Sequence, residues 1–519
     1  MRPNRSESNH LLFPPKLAIA IIFFSLILVF FGTLLPFNFS VNEPISWTFI
    51  ARQFITKTTG EDVVANLFFF VPFGFGLSAY LYPRKLGLWG SLITVAIASC
   101  LLSVTVEIVQ IFLPSRFPTL SDIILNTLGG TLGFLLLKIG LKYSSKIRFF
   151  EKLQLFLSRG SVVKIIIFSG GGLTLILLLA SQYLTRLNNW NPDFPLTIGN
   201  EADGDRPWNG RVEQVCWLDR AVPANQIDEF FGTSCPQIDG RFAVFYPFVG
   251  TAPFADEYGH LSDLVWKGTQ PQEPSTDGGV RVSSESWLQT SEPATPLNEQ
   301  IRTTSAFTLR ITFATNHLQQ TGPARIITLS SGPLHRNFTL AQWGSDLYIR
   351  LRSHLTGENG AEPSVTLPNF FTDTRPHTLI VTYNGYVLKI SGDRLPHVQT
   401  IEFTPDAALF WFIFSIFSGK MQLNPDYQSL YTLLYRGAIL IPPGVMLAIL
   451  SNFISARGKK YFSVIVGGII LASSFLLELW IAQIIPSQFQ VINFVASLVF
   501  MTLPVVFIQI QFSGYDRRS

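Results

Sequence analysis

A chain of 519 residues that is 48% hydrophobic and only 14% charged is too apolar for an ordinary soluble protein, in which roughly 25% of residues are charged. Its formal net charge of +4 comes without any basic run interleaved with aromatics, so nucleic-acid binding has no support. Three cysteines exclude a disulfide-rich scaffold.

The charge deficit is concentrated in three stretches. Residues 17–37, 63–184 and 428–512 are nearly continuous apolar sequence, whereas 186–405 carries Asp, Glu, Asn, Pro and Gly throughout. A spanning helix needs about 20 mostly apolar residues. Windows of that kind lie at 17–37, 63–82, 88–112, 119–140 and 162–184, then at 428–453, 461–485 and 489–511. The first follows Arg2, Arg5 and Lys16 but has a long apolar core and no small-residue cleavage site, so it reads as a retained helix.

Lys and Arg collect on the cytoplasmic side of membrane proteins. With the N-terminus inside, Arg84 and Lys85, the basic 138–164 loop, the Arg457–Lys460 group and Arg517–Arg518 all fall inside. The 113–118 turn and the whole soluble stretch then fall outside. The expected organisation is a cytoplasmic N-terminus (1–16), a four-helix membrane unit (17–140), a basic cytoplasmic loop (141–161) and a fifth helix (162–185). An extracytoplasmic domain (186–425), helices six to eight (426–512) and a cytoplasmic tail (513–519) complete it.

The helices read as two sets of four. Asn66 followed by Val71-Pro72-Phe73-Gly74 in helix two matches Arg436 followed by Ile441-Pro442-Pro443-Gly444 in helix six. Helix three runs from Glu107 into Leu-Pro-Ser-Arg-Phe at 113–117, and helix seven from Glu478 into Ile-Pro-Ser-Gln-Phe at 485–489. A duplicated unit, whose second outer loop has grown into a domain, accounts for these matches.

Polar groups inside a membrane are costly and mark function or pairing. Asn66 falls about one turn inside helix two. Glu107 and Gln110 share a face of helix three, Asp122 and Asn126 share a face of helix four, and Arg116 occupies the turn between. All fall near the outer leaflet, and Gly129 and Gly133 form a GxxxG step that lets helix four pack closely.

Asn66, Phe70-x-Pro72-x-Gly74, Glu107-x-x-Gln110, Arg116, Asp122-x-x-x-Asn126, Gly129 and Gly133 together resemble the VanZ-like family, named for a teicoplanin-resistance protein. The resemblance covers about residues 17–140. The second unit has lost most of the pattern: no acid matches Asp122, and Glu478 is offset by one position. Three readings of the cluster stand. Glu107, Arg116 and Asp122 staple the helix hairpin; or the six polar residues form a binding site for a lipid-linked or envelope head group; or Glu107 and Asp122 are catalytic candidates, as acid and base.

In the soluble stretch, short β-type segments lie at Phe242–Phe248, Phe307–Ala314, Arg325–Ser330, Asn337–Gln342, Leu347–Arg352, His377–Tyr383 and Tyr386–Ser391. Asn384-Gly385 is a hairpin signal. No helical periodicity interrupts these segments, which predicts an all-β sandwich. Phe245-Tyr246-Pro247-Phe248 with Asp256, and Thr382-Tyr383-Asn384-Gly385 with Ile390-Ser391-Gly392, resemble laminin-G-like and concanavalin A-like jelly rolls. The segment 196–229 is similar to that family's closing strand, yet here it comes first. A circular permutation is therefore expected, with 196–222 paired beside strands from the end of the domain. The resemblance implies glycan binding, with Trp208, Trp266 and Trp343 as stacking candidates. It also brings in calcium, for which Asp203, Asp205, Asp256 and Glu257 supply oxygen donors without EF-hand spacing; no other cofactor is expected. Cys216 and Cys235 are either a disulfide or two free thiols.

No Walker loop, GxGxxG, HExxH or GxSxG is present. The sequence therefore predicts a multi-domain protein: an α-helical polytopic membrane bundle of about eight helices in two four-helix repeats, plus an extracytoplasmic all-β jelly-roll sandwich. The expected partners are membrane lipid and an extracellular or cell-wall polysaccharide, in a bacterial plasma membrane. The alternative is an enzyme acting on a lipid-linked or cell-wall precursor, linked to glycopeptide resistance.

Overall fold

The computed structural model describes residues 15–34, 60–84, 86–113, 118–144, 175–232, 242–269, 278–418, 421–451, 456–485 and 489–516, with a few positions between these stretches. The chain divides into two compact units: 1–176 with 413–419 and 433–519, and 177–412 with 420–432. The basic 145–161 loop, the first part of the fifth window and Arg116 lie outside the described residues.

In the first unit the helices are α1 (Pro15–Leu34), α2 (Gly60–Leu81), α3 (Leu88–Gln110), α4 (Leu120–Ser144), α5 (Gln428–Ser451), α6 (Ala456–Ile484) and α7 (Val491–Asp516). The polarity of α3 is the reverse of a soluble helix. Its buried stripe is Ser91, Val95, Ser99, Ser103, Val106, Glu107 and Gln110, a spacing of three and four residues that keeps one face inward. Its outward face carries Trp89 (71% exposed), Ile93, Ile97, Leu101 and Ile108. Polar inside and apolar outside is the pattern of a helix solvated by hydrocarbon. Among the described residues four helices are long and apolar enough to cross a membrane: Leu88–Gln110, Leu120–Leu141, Pro425–Ala448 and Ser463–Ile484. Ile21–Leu34 and Val491–Phe507 are shorter apolar helices.

Helices α2 and α4 approach each other backbone to backbone, because glycine occupies the crossing on both. A β-carbon at Gly74 would lie 2.6 Å from the carbonyl carbon of Gly130, and one at Gly133 would lie 2.6 Å from the Phe75 nitrogen. At Gly129 it would meet Leu67 and Phe70. The GxxxG step thus packs on α2, as its spacing predicts. The second set has a matching contact: a β-carbon at Gly444 of α5 would lie 2.6 Å from the Met501 carbonyl of α7.

The second unit is a β-sandwich. Its strands are β1 (Leu196–Ile198), β2 (Gly210–Leu218), β3 (Ala243–Tyr246), β4 (Leu264–Gly268), β5 (Val280–Val282), β6 (Ser286–Thr290), β7 (Phe307–Thr315), β8 (Gln320–Gly332), β9 (His335–Gly344), β10 (Asp346–Leu351), β11 (Ser364–Leu367), β12 (His377–Tyr383), β13 (Val387–Gly392), β14 (Gln399–Glu402) and β15 (Gln422–Leu423). One sheet has the order β15-β11-β10-β9-β8-β1-β6-β4; the other runs β14-β13-β12-β7-β2-β3, with β5 also on β2. Trp217 is buried between them, with ring centroids 5.5 Å from Phe307 and 5.3 Å from Phe338. The Asn384-Gly385 signal is the turn between β12 and β13: Gly385 takes a φ of +94°, and Asn384 Oδ1 accepts the Val387 N–H at 2.8 Å.

Two expectations are corrected. Segment 196–222 is integral to both sheets, but its neighbours are not the closing strands. β1 pairs with β6 and β8, and β2 pairs with β3, β5 and β7. It still covers sheet edges that would otherwise stay open, but those edges belong to β7 and β8. The domain is also not free of helix, since Thr295–Thr304 is helical between β6 and β7. Pro296 near its N-terminus suits a helix start, and only Leu297, Asn298 and Ile301 are buried. One short turn and a half of apolar pattern leaves no readable period.

Cys216 of β2 and Cys235 form a disulfide, with Cα atoms 5.6 Å apart, while Cys100 of α3 is a free thiol. The bridge closes a short loop, for which about 2–4 kcal/mol of stabilisation is typical. Without reduction, only Cys100 should react with a thiol reagent in the denatured protein, as read by intact mass. Replacing Cys216 and Cys235 together by Ala should lower the melting temperature of the sandwich. Labelling at all three positions would contradict the bridge.

Candidate functional site

Polar residues of α2, α3 and α4 are joined by hydrogen bonds around one corner of the unit. Thr119 is the N-cap of α4, and its Oγ1 accepts the Asp122 N–H at 3.1 Å, a standard satisfaction of an orphan helix donor. The backbone N–H of Thr119 itself donates to Glu107 Oε2 at 3.2 Å. Glu107, 2% exposed, thus fastens the end of α3 to the start of α4. Asn66 Nδ2 donates to Asp122 Oδ1 at 2.6 Å, joining α2 to the same corner. One turn further along, Asn126 Nδ2 donates to Ser103 Oγ at 2.9 Å. Gln110 turns the other way and donates from Nε2 to the Thr33 carbonyl of α1 at 2.9 Å. Asp122 in the first turn of α4 also faces the positive end of the helix dipole.

Asn66, Glu107, Asp122 and Asn126 are therefore brought together, and Gln110 binds a separate helix end. Arg116 lies outside the described residues. The sequence reading missed Thr119, Ser103 and Thr33. Thr119 had a usable signal, since Thr followed three residues later by an acid is a capping pattern.

The second set repeats part of this corner. Glu478 of α6 accepts the backbone N–H of Gln490 at 3.2 Å, twelve residues further along, as Glu107 accepts that of Thr119. Gln490 immediately precedes α7 as Thr119 immediately precedes α4. The acid-to-cap bond is thus common to both sets and serves to close the hairpin. What differs is the rest. Arg436 stands where the first set has Asn66, and its guanidinium meets Glu478 Oε2 at 2.7 Å and Ser497 Oγ at 3.1 Å. Asn493 stands where the first set has Asp122. The second corner is a buried ion pair, whereas the first holds two carboxylates and two amides.

In the sandwich, Trp208 is fully buried, with its Nε1 donating to Gln342 Oε1 at 2.9 Å. It is a core residue, which removes it as a sugar-stacking candidate. Trp266 is half-buried on β4. Trp343 is 46% exposed, its ring centroid 5.5 Å from that of Tyr348. The acidic candidates separate. Asp256 accepts four backbone N–H groups, from Phe245, Tyr258, His260 and Leu261, at 2.7–3.2 Å. Those bonds occupy both of its oxygens in holding a loop. Asp203 and Asp205 are adjacent and exposed; partial burial and the Asp203 charge hold the Asp205 carboxyl above its usual range. Glu257 is exposed. Among the described residues, no group of three or more His, Cys, Asp or Glu side chains could hold a metal ion.

The fold and the corner define a helical unit of membrane type with an interior polar network, joined in one chain to a β-sandwich. Residues 15–141 match the VanZ/LLP1 family model, which spans α1 to α4 and contains the network of Asn66, Glu107, Asp122 and Asn126. No curated protein matches the chain, and no solved structure does.

The contrast between the two corners has a measurable consequence. Removing one partner of a buried ion pair costs about 3–5 kcal/mol, while replacing both by apolar residues is often neutral. Arg436→Met alone should therefore lower the melting temperature of the detergent-solubilised protein strongly, and adding Glu478→Gln, which removes the unpaired charge and keeps an acceptor for the Gln490 N–H, should recover most of the loss. Equal damage from the single and the double variant would contradict a simple ion pair.

Proposed function

We propose that this is an integral membrane protein that presents an extracytoplasmic, concanavalin A-like sandwich to a glycan or another envelope polymer. In this reading, a polar VanZ-like site near the outer leaflet accompanies the sandwich. The observation that carries the reading is the Cys216–Cys235 disulfide in a domain flanked by membrane-capable helices. Disulfides persist in oxidising compartments, not in a reducing cytosol, and the Lys and Arg clusters of the sequence favour the same side. The glycan part of the reading rests on the resemblance of the sequence segments to laminin-G-like jelly rolls.

Within the membrane corner, weight moves from Glu107 to the Asn66–Asp122 pair. Glu107 makes the capping bond that Glu478 also makes in a corner with little else in common. In the second set the Asn66–Asp122 side-chain bond is replaced by a longer one, from Arg436 Nη1 to the Asn493 backbone carbonyl at 3.4 Å, and the amide–carboxylate pair of the first set is the part we assign to ligand. A head group with hydrogen-bond donors suits an amide and a carboxylate held 2.6 Å apart.

A second reading, an enzyme acting on a lipid-linked or cell-wall precursor, is favoured by two carboxylates linked through Thr119 in one corner. Amide substitutions separate the two readings, because each keeps shape and an acceptor oxygen while removing charge. Acid–base chemistry requires that Glu107→Gln and Asp122→Asn each abolish the cellular phenotype, including any glycopeptide tolerance. A binding role predicts that Glu107→Gln is tolerated. For the location, protease added to intact spheroplasts should digest the 186–425 domain and spare the helices. Protection until the membrane is broken would overturn the extracytoplasmic assignment.

A further inference from the structure

We infer that the sandwich binds a short neutral saccharide in a cleft at its β11–β15 end, which the exposed Trp343 does not line. This rests on the glycan-binding reading and locates its site. The cleft holds about 310 Å³ and lies between the loop after β11, the loop before β14 and the residues that follow β15. That volume is at the small end of ligand pockets.

A sugar ring presents a patch of C–H groups and a rim of hydroxyls, so its site needs rigid apolar walls with amides or charges at their edge. Pro368, Leu395 and Pro396 supply the walls, and Asn369, Gln399 and Asp426 supply the edge. The polar groups are preorganised. The Asn369 N–H donates to Asp346 Oδ1 at 2.8 Å, and its side-chain oxygen accepts from Ser345 at 3.3 Å. Asn369 takes a φ of +52°, a left-handed conformation that costs energy in most residues and concentrates at ligand sites. Gln399 is 5% exposed, with its amide nitrogen 3.1 Å from His397.

Charge decides the ligand class. Arg394 also lines the cleft, but its guanidinium is engaged by Asp373 at 2.9 Å and by the Phe370 carbonyl at 3.3 Å. Asp426 is exposed, and its carboxylate accepts no hydrogen bond among the described residues. Among the described residues the mouth therefore offers a free acceptor, and its lining cation is already engaged. A carboxylate takes two hydrogen bonds from a vicinal diol, and it repels uronate, sulfate or phosphate groups.

The test uses the full chain in nanodiscs and measures retention on a neutral glucan and on a polyglucuronate. Wild type should bind the glucan and not the polyglucuronate. Asn369→Gly keeps the left-handed backbone and deletes the amide; Asp426→Ala deletes the acceptor at an exposed position. Each should weaken glucan binding on the order of tenfold, as expected for a lost hydrogen bond to a charged or well-placed group, with the melting temperature unchanged. Trp343→Ala should bind as wild type does. If the glucan is bound but only Trp343→Ala loses it, the cleft is wrong while the glycan-binding reading stands. Binding of the polyglucuronate alone overturns the neutral-ligand inference. Binding of neither polymer overturns both the cleft and the reading beneath it.

Discussion

The helical unit depends on one constraint: α2 and α4 must cross without side chains between them. In hydrocarbon there is no hydrophobic force to bring helices together, so close van der Waals packing and interhelical polar bonds must do it. Gly74 on one helix and Gly129 and Gly133 on the other let backbone meet backbone at the crossing. The bond from Asn66 to Asp122 follows from that approach. Two short polar side chains meet at 2.6 Å because both backbones are already close. The capping bond from Thr119 to Glu107 then fixes α4 to α3, and the three helices share a single polar corner.

The second set of helices separates what this corner needs for folding from what it adds. The glycine against the facing helix recurs at Gly444, and the acid that takes the cap N–H recurs at Glu478. These are the scaffold. The Asn66–Asp122 pair has been exchanged for Arg436 and Asn493, and the acid is met by a guanidinium. A buried ion pair is self-sufficient and offers little to a ligand. The first corner keeps carboxylate and amide groups that a ligand can engage.

Much of this was legible in the sequence. Glycines, prolines and polar residues stand out against an apolar background, so the residues that meet at the corner could be picked out from their spacing. The β12–β13 turn was legible because Asn-Gly has a specific backbone requirement. Other features are long-range and leave no local trace. Whether Trp208 is core or surface depends on Gln342 across the sheet, and the partners of β1 and β2 depend on which edges stay open after the other strands have paired. Asp256 looked like a cation ligand because the sequence cannot show that four backbone N–H groups already converge on it. Thr119 was half legible: its capping hydroxyl follows a Thr-x-x-Asp pattern, whereas the N–H it gives Glu107 is a backbone group that every residue but proline has.

The central claim is that α2 and α4 cross closely enough to set Asn66 against Asp122. Cross-linking in native membranes measures this directly. In a Cys100→Ser background, Asn66→Cys and Asp122→Cys should form a disulfide rapidly under mild oxidation, giving a gel shift after cleavage of the intervening loop. Asn66→Cys paired with Ile124→Cys, whose side chain faces outward on α4, should not. Efficient cross-linking of the second pair, or none of the first, would contradict the account.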